Sequence, residues 1–158
     1  MATDTVIRGA EAADHAQWRT LFEGYNAFYG RSGETALSDD VVLTSWHRFL
    51  AADEPTHCLV AEKGERLVGL AHFVFHRNTI TIENTCYLQD LFTAPDVRGQ
   101  GIGKLLITAF MEQAERSGTR GVYWHTHQSN SAAMRLYDEV ADNTGFVVYR
   151  RTLGGTKD

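Results

Sequence analysis

The segment from Arg98 to Lys104 contains three glycines and could hold a phosphate group. Glycine lets backbone amides approach a ligand closely, and a helix N-terminus adds about half a positive charge and free N–H donors. The segment does not match the Walker phosphate-binding motif, because Leu105 stands where Ser or Thr is needed. It does not match the dinucleotide-binding fingerprint either, because Lys104 stands where glycine is needed. The pattern Arg/Gln-x-x-Gly-x-Gly/Ala is matched by Arg98, Gly101 and Gly103. The alternative is a strand-to-helix turn whose glycines serve only tight packing.

Other segments on both sides of this loop add to its pattern. They are Leu88–Thr93 with Pro95, Asn130–Tyr137, and Gly145-Phe146. Together with the loop they resemble the GCN5-related N-acetyltransferase (GNAT) superfamily, most strongly between Tyr87 and Tyr137. The sequence Tyr-Trp-His-Thr from Tyr123 and the tail Tyr-Arg-Arg from Tyr149 are similar to small yeast acetyltransferases of histones, polyamines and D-amino acids. Tyr87–Asp90 also looks like the matching strand of diamine acetyltransferases.

The resemblance implies acetyl-CoA as the acetyl donor and no metal. In this family the loop amides hold the pyrophosphate, and the preceding strand pairs its backbone with pantetheine and polarises the thioester carbonyl. An asparagine at the start of a later helix also contacts CoA. The residues at these cofactor-binding positions are Leu91, Phe92, Thr93, Arg98, Gly99, Gln100, Gly101, Ile102, Gly103, Lys104 and Asn130.

Tyr137 matches the family's general acid, which protonates the departing CoA thiolate. It lies seven residues after Asn130, as the family spacing requires. The competing interpretation is a core residue, because Ala133, Leu136 and Tyr137 have helical spacing and a tyrosine in such a stripe often packs inside.

The acceptor implied by the resemblance is an amine of a small molecule or peptide, and it must lose a proton. An alkylammonium has a pKa of about 10.4, so a base is needed directly or through water. Asp90 is the first candidate, because it lies on the strand of the thioester site, and Glu83 is the second. Asp90 could equally fix a loop or bulge by hydrogen bonding. Diamine acetyltransferases have Glu where this chain has Gln89, which argues against a polyamine substrate.

Histidines occur at several strand positions. His125 and His127 lie two apart at a strand end and could share a face, but no third ligand has useful spacing for a metal. A place beside the acceptor is the better interpretation for either. We expect His72 and His76 to belong to a strand surface. Tyr25, at the end of the first helix, should be part of the core and of the acceptor pocket wall.

The periodicity of the chain predicts the elements that position these residues. We expect α/β structure of GNAT type in one domain, 1–158: a mixed, mostly antiparallel sheet with a βαβ crossover and helices on both faces. Predicted strands are Val6–Arg8, His57–Glu62, Leu67–Phe75, Thr85–Thr93, Val122–Thr126 and Phe146–Arg150, and predicted helices begin at Asp14, Ser38, Ile102 and Asn130.

Composition excludes several classes of function. The net charge of −5 argues against non-specific nucleic-acid binding, and no apolar run is long enough to span a membrane. The N-terminus lacks the features of a signal peptide, and two cysteines are too few for a disulfide scaffold, so we expect a cytoplasmic protein with reduced thiols. We expect a homodimer. The alternative to an enzyme is a non-catalytic acyl-CoA-binding sensor or interaction module.

Overall fold

A computed structural model describes residues 4–154 of the chain. Its strands are β1 (Thr5–Gly9), β2 (Thr56–Lys63), β3 (Arg66–His76), β4 (Thr85–Thr93) and β5 (Gly121–Trp124). Its α-helices are α1 (His15–Phe28), α2 (Asp39–Leu50), α3 (Ile102–Arg116) and α4 (Ser131–Val140), with short 3-10 turns at Ala12–Asp14, Gly33–Thr35 and Pro95–Val97. The described residues form two compact units, divided between His125 and Thr126.

The first unit contains one sheet with the strand order β1-β2-β3-β4-β5. The first four strands pair antiparallel, and β4 pairs parallel with β5. Helix α3 makes the crossover that a parallel pair requires. The predicted mixed sheet with a βαβ crossover is therefore confirmed.

Helices cover both faces of the sheet, because the strand residues alternate between two apolar surfaces. On β3, Phe73 meets Phe110 of α3 with ring centroids 5.1 Å apart, while the neighbouring His72 meets Trp18 of α1. Helix α1 approaches the sheet so closely that a Cβ on Gly24 would lie 3.0 Å from the ring of Phe92. A larger residue at this position would push the helix away from β4.

The ends of the helices follow ordinary capping chemistry. The side chain of Ser38 accepts a hydrogen bond from the amide of Val41, and Asp39 and Asp40 occupy the first turn of α2.

Cys58 and Cys86 are free and buried, and burial raises the pKa of both thiols. Neither is therefore a reactive thiolate at neutral pH.

The second unit contains α4, which begins after its N-cap residue Asn130. The predicted strand Phe146–Arg150 is wrong, because the structure assigns no strand to these residues. Phe146 is 91% exposed and Tyr149 is 95% exposed. The Phe-Val-Val-Tyr sequence has strand propensity, but a strand exists only where a neighbouring backbone pairs with it. Across residues 4–154, no helix is long and apolar enough to cross a membrane.

Candidate functional site

The glycine loop joins the Pro95–Val97 turn to α3. Gly99 and Gly101 have φ angles of 82° and 81°, in the left-handed region that glycine adopts without strain. Gly101 is the N-cap residue, and its carbonyl accepts the first helical hydrogen bond, from the amide of Leu105 at 3.1 Å. The amides of the first turn, residues 102–104, therefore have no intrahelical acceptor. This arrangement can bind an anion.

Two cationic side chains lie beside this loop in different ways. Arg98 donates from Nε to the carbonyl of Thr93 at 3.1 Å, and its guanidinium lies 5.4 Å from the ring centroid of Phe92. It therefore ties the loop to the end of β4. Lys63, at the end of β2, donates to Oε1 of Gln100 at 2.8 Å. Lys63 could not be recognised from the sequence, because 37 residues separate it from its loop partner.

Strand β4 has an open backbone edge over part of its length. It pairs with β5 only from Thr85 to Leu88. The following residues, which include Leu91, Phe92 and Thr93, have no partner on β5. On its other side β4 stays paired with β3 as far as Thr93. An extended ligand could therefore add to this edge as an extra strand does.

A β-bulge in β4 decides which side chains share a face. His72 pairs with Asp90 and Phe73 pairs with Leu88, so Gln89 is an extra residue in the ladder. Tyr87 and Asp90 are three positions apart, which would place them on opposite faces of a regular strand. The bulge at Gln89 places both of them on the face covered by α1.

Asp90 accepts a hydrogen bond within a buried polar chain. The indole Nε1 of Trp18 donates to Nε2 of His72 at 2.9 Å, and Nδ1 of His72 lies 2.8 Å from Oδ2 of Asp90. Because an indole can only donate, Nε2 of His72 is an acceptor and its proton is on Nδ1. His72 therefore donates to the Asp90 carboxylate, and with both ring nitrogens engaged it is not free to act as a base.

The surroundings of His72 correct its predicted place on a strand surface. It is only 2% exposed and stacks on Phe49 of α2 at a centroid distance of 4.3 Å. The Asp90 side chain is 13% exposed, so it lies at the boundary of the core. Tyr25 lies beside it: burial and the Asp90 carboxylate raise the pKa of the phenol, which donates to the carbonyl of Gln89 at 3.4 Å.

Four residues of the first unit form what we call the aromatic platform: Tyr87, Tyr123, His76 and His125. Tyr87 and Tyr123 are register partners on β4 and β5, and their rings stack with centroids 5.0 Å apart and planes 20° apart. Tyr123 Oη lies 2.8 Å from Nε2 of His76, and Tyr87 Oη lies 3.3 Å from Nδ1 of His125. Burial, Asp90 and Tyr123 together raise the pKa of Tyr87, in accord with its position beside the carboxylate.

The remaining candidates occupy more peripheral positions. Glu83 precedes β4 and lies 3.8 Å from Arg120, so its carboxylate already has a cationic neighbour. His127 belongs to the second unit, where its Nδ1 lies 2.6 Å from Oγ of Ser129. Among the described residues, no group of three histidine, cysteine or acidic side chains is arranged to hold a metal ion.

Asn130 and Tyr137 lie on α4 of the second unit. Oδ1 of Asn130 accepts from the amide of Ala133 at 3.4 Å and caps the helix. Seven residues are about two helical turns, so Asn130 and Tyr137 lie on the same side of α4. Asn130 therefore has a structural role as a cap, in addition to the cofactor contact expected from its position.

Comparison with known proteins identifies the family. Residues 18–141 match the Acetyltransferase (GNAT) family, and the chain belongs to it. The D-amino-acid N-acetyltransferase HPA3 of Saccharomyces cerevisiae is 31% identical over 152 residues, which cover 92% of this chain and 89% of the yeast protein. The thialysine N-epsilon-acetyltransferase of Mus musculus is 31% identical over 107 residues, covering 60% of this chain and 62% of that protein.

Solved structures agree with this assignment at the level of the fold. The aminoglycoside N-acetyltransferase AAC(6')-Iy in complex with CoA superposes with a TM-score of 0.79 at 20% identity and covers 94% of each chain. A ribosomal-protein-alanine N-acetyltransferase from Brucella melitensis superposes with a TM-score of 0.75 at 19% identity, covering 95% of this chain and 99% of that one.

Proposed function

We propose that this protein is an N-acetyltransferase that transfers the acetyl group of acetyl-CoA to a primary amine of a small molecule or peptide, by direct attack in a ternary complex. The observation that carries the proposal is the pairing of two donor-binding features in one unit. A helix N-terminus with free amides follows directly on a strand whose backbone edge is open over residues 89–93. The yeast and mouse relatives, both N-acetyltransferases, support it.

The loop residues suit the charge of acetyl-CoA. Amides at the start of α3 would bind the pyrophosphate, and the cations of Lys63 and Lys104 would add attraction for its negative charge. The backbone of Leu91 and Thr93 would pair with the pantetheine arm, as the open edge allows. When bound along this edge, acetyl-CoA would supply the activated acetyl group.

Asp90 is the base we propose for the acceptor ammonium. Its Oδ2 is held by His72, so the carboxylate has a fixed orientation at the end of the buried chain. A fixed carboxylate at the boundary of the core can bind an ammonium and accept its proton. The proton cannot continue to His72, because Trp18 already donates to the second ring nitrogen. It must therefore leave Asp90 towards solvent.

Tyr137 is the general acid we propose for the departing thiolate. Support comes from the family match that spans α4 and from the two-turn spacing between Asn130 and Tyr137. A thiol has a pKa near 8.5, so the leaving group needs only a weak acid. A phenol with a pKa near 10 can supply that proton.

The experiment that tests the proposal combines binding with turnover. Acetyl-CoA at 100 times its dissociation constant should stabilise the fold by about 2.7 kcal/mol, which raises the melting temperature by several degrees. NAD and ATP should give much smaller shifts. Mixing acetyl-CoA with a panel of amines should release free CoA thiol. Binding without thiol release from any amine would favour the sensor module, and no melting shift would reject both functions.

We also propose that the protein forms a homodimer. In the described part of the second unit, Phe146, Val147, Val148 and Tyr149 are all exposed, which is an apolar run that a second copy could cover. Light scattering should then give twice the 17.7 kDa of one chain. Monomers alone at micromolar concentration would reject the dimer and leave the enzymatic proposal unaffected.

A further inference from the structure

We propose that the aromatic platform selects the acceptor, and that the acceptor is a monoamine with a flat aromatic group one or two carbons from its nitrogen. Arylalkylamines and aromatic amino acids share this chemistry. The inference rests on the proposed function, because it names the substrate class of the same site.

The platform is already organised to bind a flat ring. Its two tyrosine rings stack in register, and each hydroxyl lies within hydrogen-bond distance of a histidine nitrogen. Hydroxyls held at one end restrict the rotation of both rings, so little side-chain freedom is lost when a ligand binds. Tyr123 nevertheless remains 38% exposed, and His76 is exposed at the end of β3. Aromatic surface of this kind stacks with flat rings and attracts cations.

The distance from the platform to Asp90 suits such an acceptor. Val74 pairs with Tyr87 and His72 pairs with Asp90, so the two β4 residues are two ladder positions apart on the same face. Two positions of a strand span about 6–7 Å. A ring stacked on the platform can therefore reach Asp90 with its amine through a short alkyl linker.

The charges around the platform favour one ammonium group over several. Asp90 is the carboxylate on this face of β4. The next carboxylate towards the start of the strand, Glu83, already pairs with Arg120. The bulged residue between platform and base is the neutral Gln89. The second ammonium of a polyamine would therefore meet aromatic rings and no second carboxylate of β4, whereas an aryl group gains from stacking on those rings.

Two matched pairs of acceptors separate the effect of a flat ring from that of hydrophobicity. The amines 2-phenylethylamine and 2-cyclohexylethylamine have similar length and the same amino group, but only the first has a flat ring. Phenylalanine and cyclohexylalanine, each as the D and the L form, repeat the comparison for amino acids. Spermidine tests the polycation. Turnover is measured as release of CoA thiol, and binding of each amine to the CoA-saturated protein is measured by calorimetry.

The variants Tyr123→Leu and Tyr87→Leu remove one ring each, and Tyr123→Phe and Tyr87→Phe keep it. We expect kcat/KM and affinity for the phenyl compound to exceed those for the cyclohexyl compound by about 3–10-fold in the wild type. The Phe variants should retain most of this ratio, and each Leu variant should reduce it towards one. Melting temperatures identify any variant that fails to fold, and the variant at the other tyrosine then supplies the test.

Four results would overturn the inference. Three of them are equal or better use of the cyclohexyl compounds, a ratio unchanged in both Leu variants, and spermidine as the best acceptor. The fourth is binding of acetyl-CoA without binding or acetylation of any aryl amine, which would leave the donor site intact. Failure of acetyl-CoA to bind would instead reject the proposed function itself. Acetylation of phenylalanine but not phenylethylamine would identify the amino acid as the source of the aromatic amine.

Discussion

The donor end and the acceptor face of the first unit are built from different parts of the chain. At the glycine loop, the proposed binding groups are backbone amides of consecutive residues, which the glycines leave accessible. At the acceptor face, the proposed base, its orienting histidine and the aromatic platform are side chains from β3, β4, β5 and the residue that follows β5. A site of backbone groups depends on local conformation, whereas a site of side chains depends on the register of the sheet. Substitutions should therefore affect the two regions separately.

The largest effect should come from Gly101→Glu at the donor end. The residue has a φ of 81°, so any side chain is strained there, and a carboxylate would project where a phosphate must approach. We expect the melting shift with acetyl-CoA to disappear while the protein stays folded. Gly118→Glu is the matched control, since Gly118 has a φ of 82° after the opposite end of α3 and open space around its Cβ. Normal acetyl-CoA binding by Gly101→Glu would show that the loop is not the pyrophosphate site.

Asp90→Asn should reduce turnover by about 10²–10⁴ and leave acetyl-CoA binding unchanged. The amide oxygen can still accept the hydrogen bond from His72, so the bulge and its packing are preserved. Asp39→Asn is a control, because it removes a carboxylate from an exposed ion pair with Arg19. If Asp90 serves only to fix the bulge, the Asn variant will work as well as the wild type.

Tyr137→Phe tests a residue outside both regions, in the second unit. Loss of the hydroxyl should lower turnover by about 10²–10⁴ if thiolate protonation limits the rate, and by less if water replaces it. Affinity for acetyl-CoA should stay within a few-fold of the wild-type value. A core role predicts the opposite pattern, with unaltered turnover and about 1 kcal/mol of stability lost. Turnover and melting temperature must therefore be measured on one preparation.

The smallest effect on turnover should come from Trp18→Phe, which alters the acceptor face from inside the core. It removes the donor to His72 and leaves a buried nitrogen unsatisfied, at a cost of about 1–3 kcal/mol, or several degrees in melting temperature. Turnover should fall by less than about tenfold, since Asp90 keeps its contact with His72. Trp46→Phe is the control, because Trp46 is 4.6 Å from Trp18 and belongs to the same aromatic cluster. Equal losses in both variants would mean that the His72 bond adds nothing beyond packing.

The contrast between the two regions also explains what the sequence could predict. The glycine loop, the strand before it and the βαβ crossover were recognisable because their signals are local: turn glycines, strand alternation and helical periodicity. Asp90 was identified as a candidate from its strand. The prediction for its partner His72, a place on a strand surface, was wrong. The alternation of residues along β3 shows that the strand has two faces, but not that helices cover the face of His72.

Two further features depended on information that the sequence does not carry locally. Regular alternation puts Tyr87 and Asp90 on opposite faces, and only the pairing with β3 reveals that Gln89 is the extra residue. Lys63 meets the loop through the antiparallel order of the sheet. The strand predicted at Phe146–Arg150 failed for the converse reason: its residue types were right, but strand formation requires a partner that propensity cannot supply.

The bulge at Gln89 has a consequence for how this chain can change through evolution. It divides β4 into two half-strands whose side-chain alternation is shifted by one residue, with the platform residue Tyr87 before it and the proposed base and donor edge after it. Substitutions before the bulge can alter acceptor preference while the later half-strand keeps its register. Deletion of the single residue Gln89 would restore a regular strand, and the side chains of one half-strand would then point to the opposite face of the sheet. We therefore expect insertions and deletions at this position to be far more damaging than substitutions of the exposed Gln89 side chain.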